Sequence, residues 1–324
     1  MRSCFTASLV LLVLLFGLPW LSVPAQEEEG ETPPVEQASS ADDSVTLTVW
    51  DGSEVQEMTV AEYLPGVVRG EMPASFELEA LKAQAVAERT YIYYKMTTGT
   101  KPAHPDAAVC MSSSCCSAYT AADKAAAKWG DKAAEYEQRI QTAVSETDGQ
   151  VLLYNDQPIL AAFHSSSNGT TASSGDVWVS DLPYLSSVAS PESGDTVPNY
   201  YSTKTFTCEE FRQTFTAACP EAVFSDNPAD WVKNLTLNDS GRVETVEIGG
   251  VQVEGTQVRT IFGLRSASFT VETDASGVTF RVTGYGHGVG MSQYGANELA
   301  RQGKTWREIL QWYYTGITIG GFAP

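Results

Sequence analysis

A single carboxylate, Glu71, stands where a helix should end. Residues 61–71 are short and apolar, and Pro73 follows two residues later. Because proline disfavours the α conformation in the residue before it, regular helix is expected to stop at Met72. Glu71 is then held at an element terminus rather than on a solvated helix face, a position suited to a general acid or base. The alternative is an ordinary solvated glutamate beside a core helix.

The second candidate region is the glycine-rich stretch 284–295, in which five of twelve residues are glycine. Glycine at this density permits positive φ and close approach of the backbone to a ligand. His287, Ser292 and Gln293 are therefore expected on exposed backbone. The stretch fits neither the dinucleotide fingerprint nor the phosphate-binding loop. A tight structural turn before the last helix is the alternative.

The cysteines of the body form a third group. Cys208 and Cys219 flank a predicted short helix, and a disulfide between them is compatible with an oxidising compartment. Cys110, Cys115 and Cys116 are an odd number, so they cannot all form intramolecular disulfides. A Cys110–Cys116 disulfide with Cys115 free is one arrangement that the spacing allows.

The elements that must position these residues are helices and antiparallel strands, which predict an α+β fold. Ser75 is predicted to be the N-cap of the long second helix, which carries a stripe of small residues. Helices are predicted at 59–71, 75–98, 121–147 with a break near Gly130, 206–219 and 298–314. Strands are predicted at 45–50, 150–154 and 159–163, with β-hairpins within 231–248, 250–258 and 268–282 and loops at 99–119 and 164–205.

Composition and the N-terminal region indicate where the protein acts and which partners are disfavoured. The formal net charge of the 324-residue chain is −20, which disfavours binding to nucleic acid. Residues 1–25 contain an apolar run after Arg2 and predict a cleaved signal peptide or an N-terminal membrane anchor. Residues 26–44 are acidic and poor in large apolar side chains, which predicts a disordered linker. Residues 45–324 should then form the folded body, outside the cytoplasm, with the membrane contacted only through the N-terminal segment.

Three motifs in this order resemble the stage II sporulation protein D (SpoIID) family, which shares its domain with amidase-enhancer (LytB) proteins. They are YLPGVVRGEMPASFELEALKAQAVAERTYIYY, GHGVGMSQYGANELA and REILQWYYTGI. The segment GGVQVEGTQVRTIFGLRSASFTV is also similar to the family. The resemblance covers residues 45 to about 320, and it implies helices and antiparallel strands around a long substrate groove.

The resemblance implies a lytic transglycosylase that cleaves peptidoglycan glycan strands between N-acetylmuramic acid (MurNAc) and N-acetylglucosamine (GlcNAc). Glu71, in the family's EMP motif, would be the catalytic acid and base. Such an enzyme uses the 6-hydroxyl of MurNAc as an internal nucleophile and forms a 1,6-anhydro sugar. One carboxyl group can protonate the glycosidic oxygen and then deprotonate that hydroxyl, and partial burial would raise its pKa. No cofactor is needed for this catalysis.

The resemblance also implies a substrate-binding set. Arg89 lies in ERTY, which matches the family's ARTY, and Glu88 replaces a usual small residue there. Residues 164–170 are similar to the family's H-S-x-x-G-G-x-T region, whose side chains suit hydrogen bonds to sugars. A serine hydrolase is disfavoured because no GxSxG elbow is present. The residues expected to bind substrate are Arg89, His164, Ser166, His287, Ser292, Gln293 and Tyr294.

The spacing of His104, Cys110 and Cys116 is similar to the zinc-binding loop of some clostridial members of this family. Cys115 would complete a tetrahedral site of three cysteines and one histidine. Such a closed zinc site would be structural, and it would pin the loop near the end of the Glu71 helix.

The implied setting is sporulation, in which the substrate is preferably glycan already stripped of stem peptides by an amidase partner during forespore engulfment. The alternative function is a non-catalytic glycan binder that enhances a cell-wall amidase. An intact Glu71 favours the enzyme, whereas both functions require the groove.

Overall fold

Helices and short strands alternate along residues 40–324, the part of the chain that the computed structural model describes. The fold class is α+β, as predicted. The helices are α1 (Val60–Glu71), α2 (Leu78–Thr98), α3 (Ala122–Trp129), α4 (Ala133–Ser145), α5 (Cys208–Ala218), α6 (Gly255–Phe262), α7 (Gln293–Arg301) and α8 (Trp306–Tyr313). The strands are β1 (Thr46–Trp50), β2 (Val55–Thr59), β3 (Val109–Cys110), β4 (Val151–Tyr154), β5 (Gln157–Pro158), β6 (Phe163–His164), β7 (Tyr201–Thr207), β8 (Val232–Lys233), β9 (Thr245–Ile248), β10 (Val251–Glu254), β11 (Phe269–Asp274), β12 (Gly277–Thr283), β13 (Met291–Ser292) and β14 (Thr318–Gly320).

Interactions between neighbouring residues set both ends of helix α1. Thr59 and Glu62 form a reciprocal capping box that satisfies free N–H groups at its start. Its C-cap, Met72, is extended with φ −121° and ψ 137°, as expected of a residue before proline. The helix therefore stops immediately after Glu71.

Helix α2 is the central element of the larger hydrophobic core. Ala80, Ala83 and Ala87 are fully buried, and these small side chains let α4, α7, α8 and β4 pack close around the helix. The helix is buried on nearly all sides, which is typical of a core helix rather than an amphipathic surface helix.

The strands form several small sheets rather than one large sheet. Strand β1 pairs antiparallel with β2 and parallel with β3, and β6 pairs parallel with β13. Strands β7, β12 and β11 form an antiparallel sheet that supports a second core. In that core Phe211 stacks on Phe262, with ring centroids 4.7 Å apart.

Several predicted boundaries are wrong. Helix α2 begins after Glu77 instead of Ser75, because residues 73–76 form a turn in which the Phe76 N–H donates to the Pro73 carbonyl oxygen at 2.9 Å. The helix predicted at 298–314 is two helices, separated at Gly303, whose φ of 87° is incompatible with helix.

Of the strand predicted at 159–163, only the last residue is in a strand, β6. Strand β5 lies between the strands predicted at 150–154 and 159–163. The hairpin strand predicted at 250–258 ends at Glu254, where α6 begins with a capping box. Strand β7 lies mostly in the segment predicted to be a loop, and seven residue pairs with β12 hold it in place. Strands β6 and β7 therefore depend on partners far away in the sequence, whereas β5 and the start of α6 are set by neighbouring residues.

The predicted linker 26–44 also needs correction at its C-terminal end. Residues 42–44 form a 3₁₀ turn, and Asp42 is buried. The side chain of Asp148 accepts hydrogen bonds from the N–H groups of Ala41 and Asp42. Residues 40–44 therefore belong to the folded body, while the rest of the linker and the signal or anchor segment 1–25 lie outside the described residues. Within residues 40–324, no helix has both the length and the apolar character to span a membrane.

Candidate active site

Glu71, the last residue of α1, is half-buried at the edge of a cavity of about 710 Å³. Burial raises the pKa of its carboxyl group. The N–H of Ala118 donates a hydrogen bond to Glu71 Oε1 at 2.5 Å, and this contact acts in the opposite direction on the pKa. A glutamate with a raised pKa and one fixed hydrogen-bond donor is suited to general acid catalysis.

Two glycines of α1 allow the cysteine-containing loop to reach Glu71. A Cβ atom on Gly70 would collide with the carbonyl group of Ala118, and one on Gly66 would collide with the ring of Tyr119. The Thr120 N–H also donates to the Gly66 carbonyl oxygen at 2.9 Å. The loop is therefore held against α1, which places the Ala118 N–H beside the carboxylate.

The cavity brings together distant parts of the chain. Its lining includes Cys116, His164, Trp178, Arg259, His287 and Gln293 as well as Glu71. Among the described residues, Glu71 is the one carboxylate in this lining. The site therefore offers one acid beside neutral and cationic side chains.

Gln293 is the residue of the glycine-rich stretch 284–295 that contacts Glu71 directly. Its Nε2 donates to the Glu71 carbonyl oxygen at 3.0 Å. Gln293 and Glu71 therefore lie next to each other in the cavity lining. Tyr294 lies outside the cavity lining, with its ring edge packed on Phe76 at 4.9 Å between centroids.

Ser292 is buried behind the cavity rather than in it. Its hydroxyl caps α7 by accepting from the Gly295 N–H at 3.2 Å, and it donates to Glu192 Oε1 at 2.5 Å. Glu192 is also buried and accepts from the Ser167 N–H at 2.7 Å. Ser292 thus joins three loops, and a direct contact with substrate is not what this geometry supports.

His164 and His287 form the histidine pair of the cavity wall, with ring centroids 5.7 Å apart. His164 Nδ1 lies 3.2 Å from the Val289 carbonyl oxygen, so we assign the proton to Nδ1. Nε2 of His164 then carries a lone pair and has no hydrogen-bond partner among the described residues. Burial, followed by the neighbouring His287, lowers the pKa of His164 well below its ordinary value.

His287 is neutral for similar reasons. Burial and then the charge of Arg259 lower its pKa to about 4. Its Nδ1 accepts from the Val289 N–H at 3.1 Å, and its ring lies 5.3 Å from that of Trp178. The pair therefore holds one buried acceptor nitrogen without a partner among the described residues, on His164.

Two expected substrate-binding residues are placed elsewhere by the structure. Arg89 is fully buried, and its guanidinium forms a bidentate ion pair with Asp42 at 2.6 and 2.7 Å. Since it does not reach the cavity, Arg89 has a structural role. Ser166 is buried in a β-bridge with Tyr285 and does not line the cavity.

The cysteine-rich loop gathers four possible metal ligands. The ligand atoms of His104, Cys110, Cys115 and Cys116 all lie within 4.8 Å of one another. His104 Nδ1 is 2.8 Å from the Ala107 carbonyl oxygen, which leaves Nε2 facing Cys116 Sγ at 3.4 Å. A histidine oriented in this way is typical of a metal ligand.

All five cysteines of the described residues are free thiols in this structure. Cys208 and Cys219, which the spacing allowed to pair, are not bridged. Neither are Cys110 and Cys116, whose side chains belong to the four-ligand cluster.

Two features of the site escaped the sequence reasoning. Arg259 reaches the cavity from α6, a helix whose N-terminal half, 255–258, was predicted as part of a strand. Glu88 is buried close to Glu71 and was given no role. In the sequence, Glu88 follows valine and alanine and precedes arginine on a predicted core helix, which was a signal of a buried acid. Its hydrogen-bond partners could not be identified from the sequence.

Comparison with known proteins places the chain among cell-wall and sporulation proteins. Residues 51–154 match the family model SpoIID, described as stage II sporulation protein. The chain is 38% identical to stage II sporulation protein D of Bacillus subtilis over 265 residues, which cover 82% of this chain and 75% of that protein. It is 35% identical to the protein of the same name from Bacillus amyloliquefaciens, over 91% of this chain and 83% of that protein. It is also 31% identical to the amidase enhancer of Bacillus subtilis, over 80% of this chain and 40% of that protein.

Proposed function

The chain belongs to the stage II sporulation protein D (SpoIID) family, and from that premise we propose that it is a peptidoglycan lytic transglycosylase that acts in sporulation. It would cleave glycan strands between MurNAc and GlcNAc and leave a 1,6-anhydro end. The observation that carries the proposal is a single half-buried carboxyl group, Glu71, with a raised pKa in a large cavity. Hydrolytic glycosidases ordinarily require two carboxyl groups across the scissile bond.

The proposed reaction proceeds with one acid. Protonated Glu71 gives its proton to the glycosidic oxygen, the bond from MurNAc C1 to that oxygen breaks, and GlcNAc leaves with a free 4-hydroxyl. The 6-hydroxyl of the same MurNAc attacks C1, and the Glu71 carboxylate takes the hydroxyl proton. Glu71 is thereby returned to its acid form without consuming water. Burial raises its pKa and favours the acid form at the start of the cycle.

Other side chains of the cavity lining are suited to the hydroxyl, acetamido and carboxylate groups of a peptide-stripped glycan. The lone pair of His164 Nε2 is an acceptor for a hydroxyl or an acetamido N–H group, since a buried acceptor without a partner is costly. Trp178 offers a flat apolar surface of the kind on which sugar rings pack. Arg259 supplies positive charge in a chain of net charge −20.

A structural zinc ion in the cysteine-rich loop is part of the same proposal. From Zn–S bonds of about 2.3 Å, tetrahedral thiolates lie about 3.8 Å apart, which is compatible with the spacing within the cluster. His104, Cys110, Cys115 and Cys116 would fill all four positions, leaving none for water. The ion would fix the loop that carries Ala118, and the chemistry would remain with Glu71.

An extracytoplasmic setting and an amidase partner complete the proposal. The N-terminal apolar segment would export or anchor the body, and an amidase would first remove stem peptides from the strands. The amidase enhancer among the relatives supports a second candidate function, in which the same fold binds glycan or an amidase without cutting.

The decisive experiment compares the full chain with a Glu71→Gln variant on purified glycan strands that lack stem peptides. Glu57→Gln serves as the control, because Glu57 is exposed on β2 and outside the cavity. Mass spectrometry should show products one water lighter than hydrolysis products, from the parent and the control alone. If all three proteins bind glycan and none cuts it, the enhancer function replaces the enzyme.

A further inference from the structure

Glu88 is a buried acid that the proposed reaction does not use. It lies on α2, is 1% exposed and does not line the cavity. The ion pairs formed within residues 40–324 do not include it. Burying a carboxyl group without a cation is costly, so its hydrogen bonds indicate what it does.

The first connection from Glu88 leads to the carboxylate of Glu71. Ser117 Oγ donates to Glu88 Oε2 at 2.9 Å. The next residue, Ala118, donates its N–H to Glu71 Oε1. Because Ser117 and Ala118 are adjacent, a displacement of the Ser117 side chain would move the N–H that holds the acid.

The second connection leads to the main chain of Glu71. Gln84 lies one turn before Glu88 on α2, and its Nε2 donates to Glu88 Oε1 at 3.3 Å. The side chain of Gln293 contacts Gln84 Oε1 at 3.5 Å and donates to the Glu71 carbonyl oxygen at 3.0 Å. Both oxygens of Glu88 are therefore used, and each begins a chain of contacts that ends on Glu71.

We propose that Glu88 is the positioning residue of Glu71, holding the carboxylate through Ser117 and Ala118 and the main chain through Gln84 and Gln293. This inference rests on the proposed function, since it assigns Glu88 to the same acid. Glu88 itself touches no substrate. Its loss should therefore lower kcat and leave KM nearly unchanged, because misplacement of the acid affects the transition state more than binding.

The test compares the full chain with Glu88→Ala, Glu88→Gln and Ser117→Ala, using peptide-free glycan strands. Glu88→Ala removes both connections, and we expect kcat to fall roughly tenfold or more, the equivalent of about 1.4 kcal/mol. Glu88→Gln has the same shape and keeps one acceptor oxygen for Gln84 Nε2, while its amide N–H can donate to Ser117 Oγ, so it should recover kcat to within about threefold of the parent. Ser117→Ala removes only the first connection and should give an intermediate kcat.

A second measurement does not depend on activity. The ¹³C signal of the Glu71 carboxyl group, assigned by its absence in Glu71→Gln, reports the pKa of this acid. In Glu88→Ala and in Ser117→Ala, loss of the Ala118 hydrogen bond should raise that pKa, because the bond lowers it in the parent. In Glu88→Gln the pKa should shift less.

The outcomes separate the two proposals. If the parent yields no anhydro products but the Glu71 signal moves as expected, the transglycosylase proposal fails and the positioning role stands. If kcat and the Glu71 signal are unchanged in Glu88→Ala, the positioning role is refuted. An equal loss of kcat in the Ala and Gln variants, or a loss confined to KM, would also refute it. Should Glu88→Ala not fold, Ser117→Ala decides by the Glu71 signal alone, because Ser117 also lines the cavity and its kcat would include any contact with substrate.

Discussion

The bidentate ion pair between Arg89 and Asp42 can be tested by changing the partner that lies far from the cavity. Asp42→Asn keeps the shape of the side chain and removes its charge, so the fully buried guanidinium of Arg89 loses its counter-ion. Breaking a buried ion pair by removing one partner costs about 3–5 kcal/mol. The carbonyl oxygens of Val144 and Gln150, 3.3 and 3.1 Å from Arg89, remain as neutral acceptors and place the expected cost near the lower figure.

A loss of about 3 kcal/mol should lower the Tm by roughly 6–12 °C, at about 2–4 °C per kcal/mol for a domain of this size. Urea and thermal unfolding of the full chain measure this loss. The matched control is Asp43→Asn, since Asp43 is the exposed neighbour of Asp42. It should change the free energy of unfolding by no more than about 0.5 kcal/mol.

The same variant distinguishes a structural role for Arg89 from the substrate-binding role that the sequence suggested. Below its Tm, Asp42→Asn should bind glycan as the parent does, because neither residue of the pair lines the cavity. Equal Tm values for the two asparagine variants would refute the structural role of Arg89. A variant Asp42→Asn that retains its stability but loses affinity for glycan would refute it as well.

Two further predictions concern the metal cluster and the buried acid. The purified chain should carry about one zinc ion per molecule. Both a chelator and Cys110→Ser should lower the Tm, whereas the control Cys219→Ser should not. Equal changes of Tm in the two serine variants would contradict the zinc site. Burial, and then the nearby charge of Glu71, raise the pKa of Glu88 from 4.5 to about 8, so the folded state keeps this proton over a range in which the unfolded state has lost it. The contribution of Glu88 to stability is therefore greatest below pH 4.5 and declines up to about pH 8, by at most about 1.4 kcal/mol per pH unit. Glu88→Gln should remove this decline in urea unfolding between pH 5 and 9, and parallel curves for the two proteins would show that Glu88 does not titrate there.

Local signals were sufficient for the parts of the fold that depend on short-range chemistry. Pro73 fixed the end of α1, and the turn at Gly130 separated α3 from α4 as predicted. These features depend on backbone geometry within a few residues. Strand β7 was missed because pairing with the distant β12 selects it. The start of α6 was missed although it has a local signal, the capping box of Glu254 and Gln257.

In the candidate site, too, some residues could be predicted from the sequence and others could not. Position in the sequence singled out Glu71 and His287, and the family resemblance implied His164 and the four possible metal ligands. The cavity lining brings together Glu71, both histidines, Cys115 and Cys116. Arg89 was misassigned because its partner, Asp42, lies 47 residues earlier in a stretch whose acidic composition resembles a linker. Composition describes the average surroundings of a stretch, and it cannot reveal that one of its aspartates is buried.

Ser292 shows a further limit of motif reasoning. In a glycine-rich loop, a serine followed three residues later by Gly295 is compatible with an exposed hydroxyl and also with a helix N-cap. The structure selects the cap because Glu192, about a hundred residues away in the sequence, accepts the hydroxyl proton. The motif could not distinguish these possibilities, because the partner that decides lies outside it.

The position of Glu71 depends on three separate segments. The cysteine-rich loop supplies the N–H on its carboxylate, and the glycine-rich stretch supplies the amide on its carbonyl. Helix α2 carries the buried acid Glu88, which contacts the first segment directly and reaches the second through Gln84. An isolated glutamate at a helix end would be solvated and would have an ordinary pKa. The reactivity proposed for Glu71 is therefore a property of the packing around it, and changes in any of these three segments should affect catalysis even where they leave the cavity lining intact.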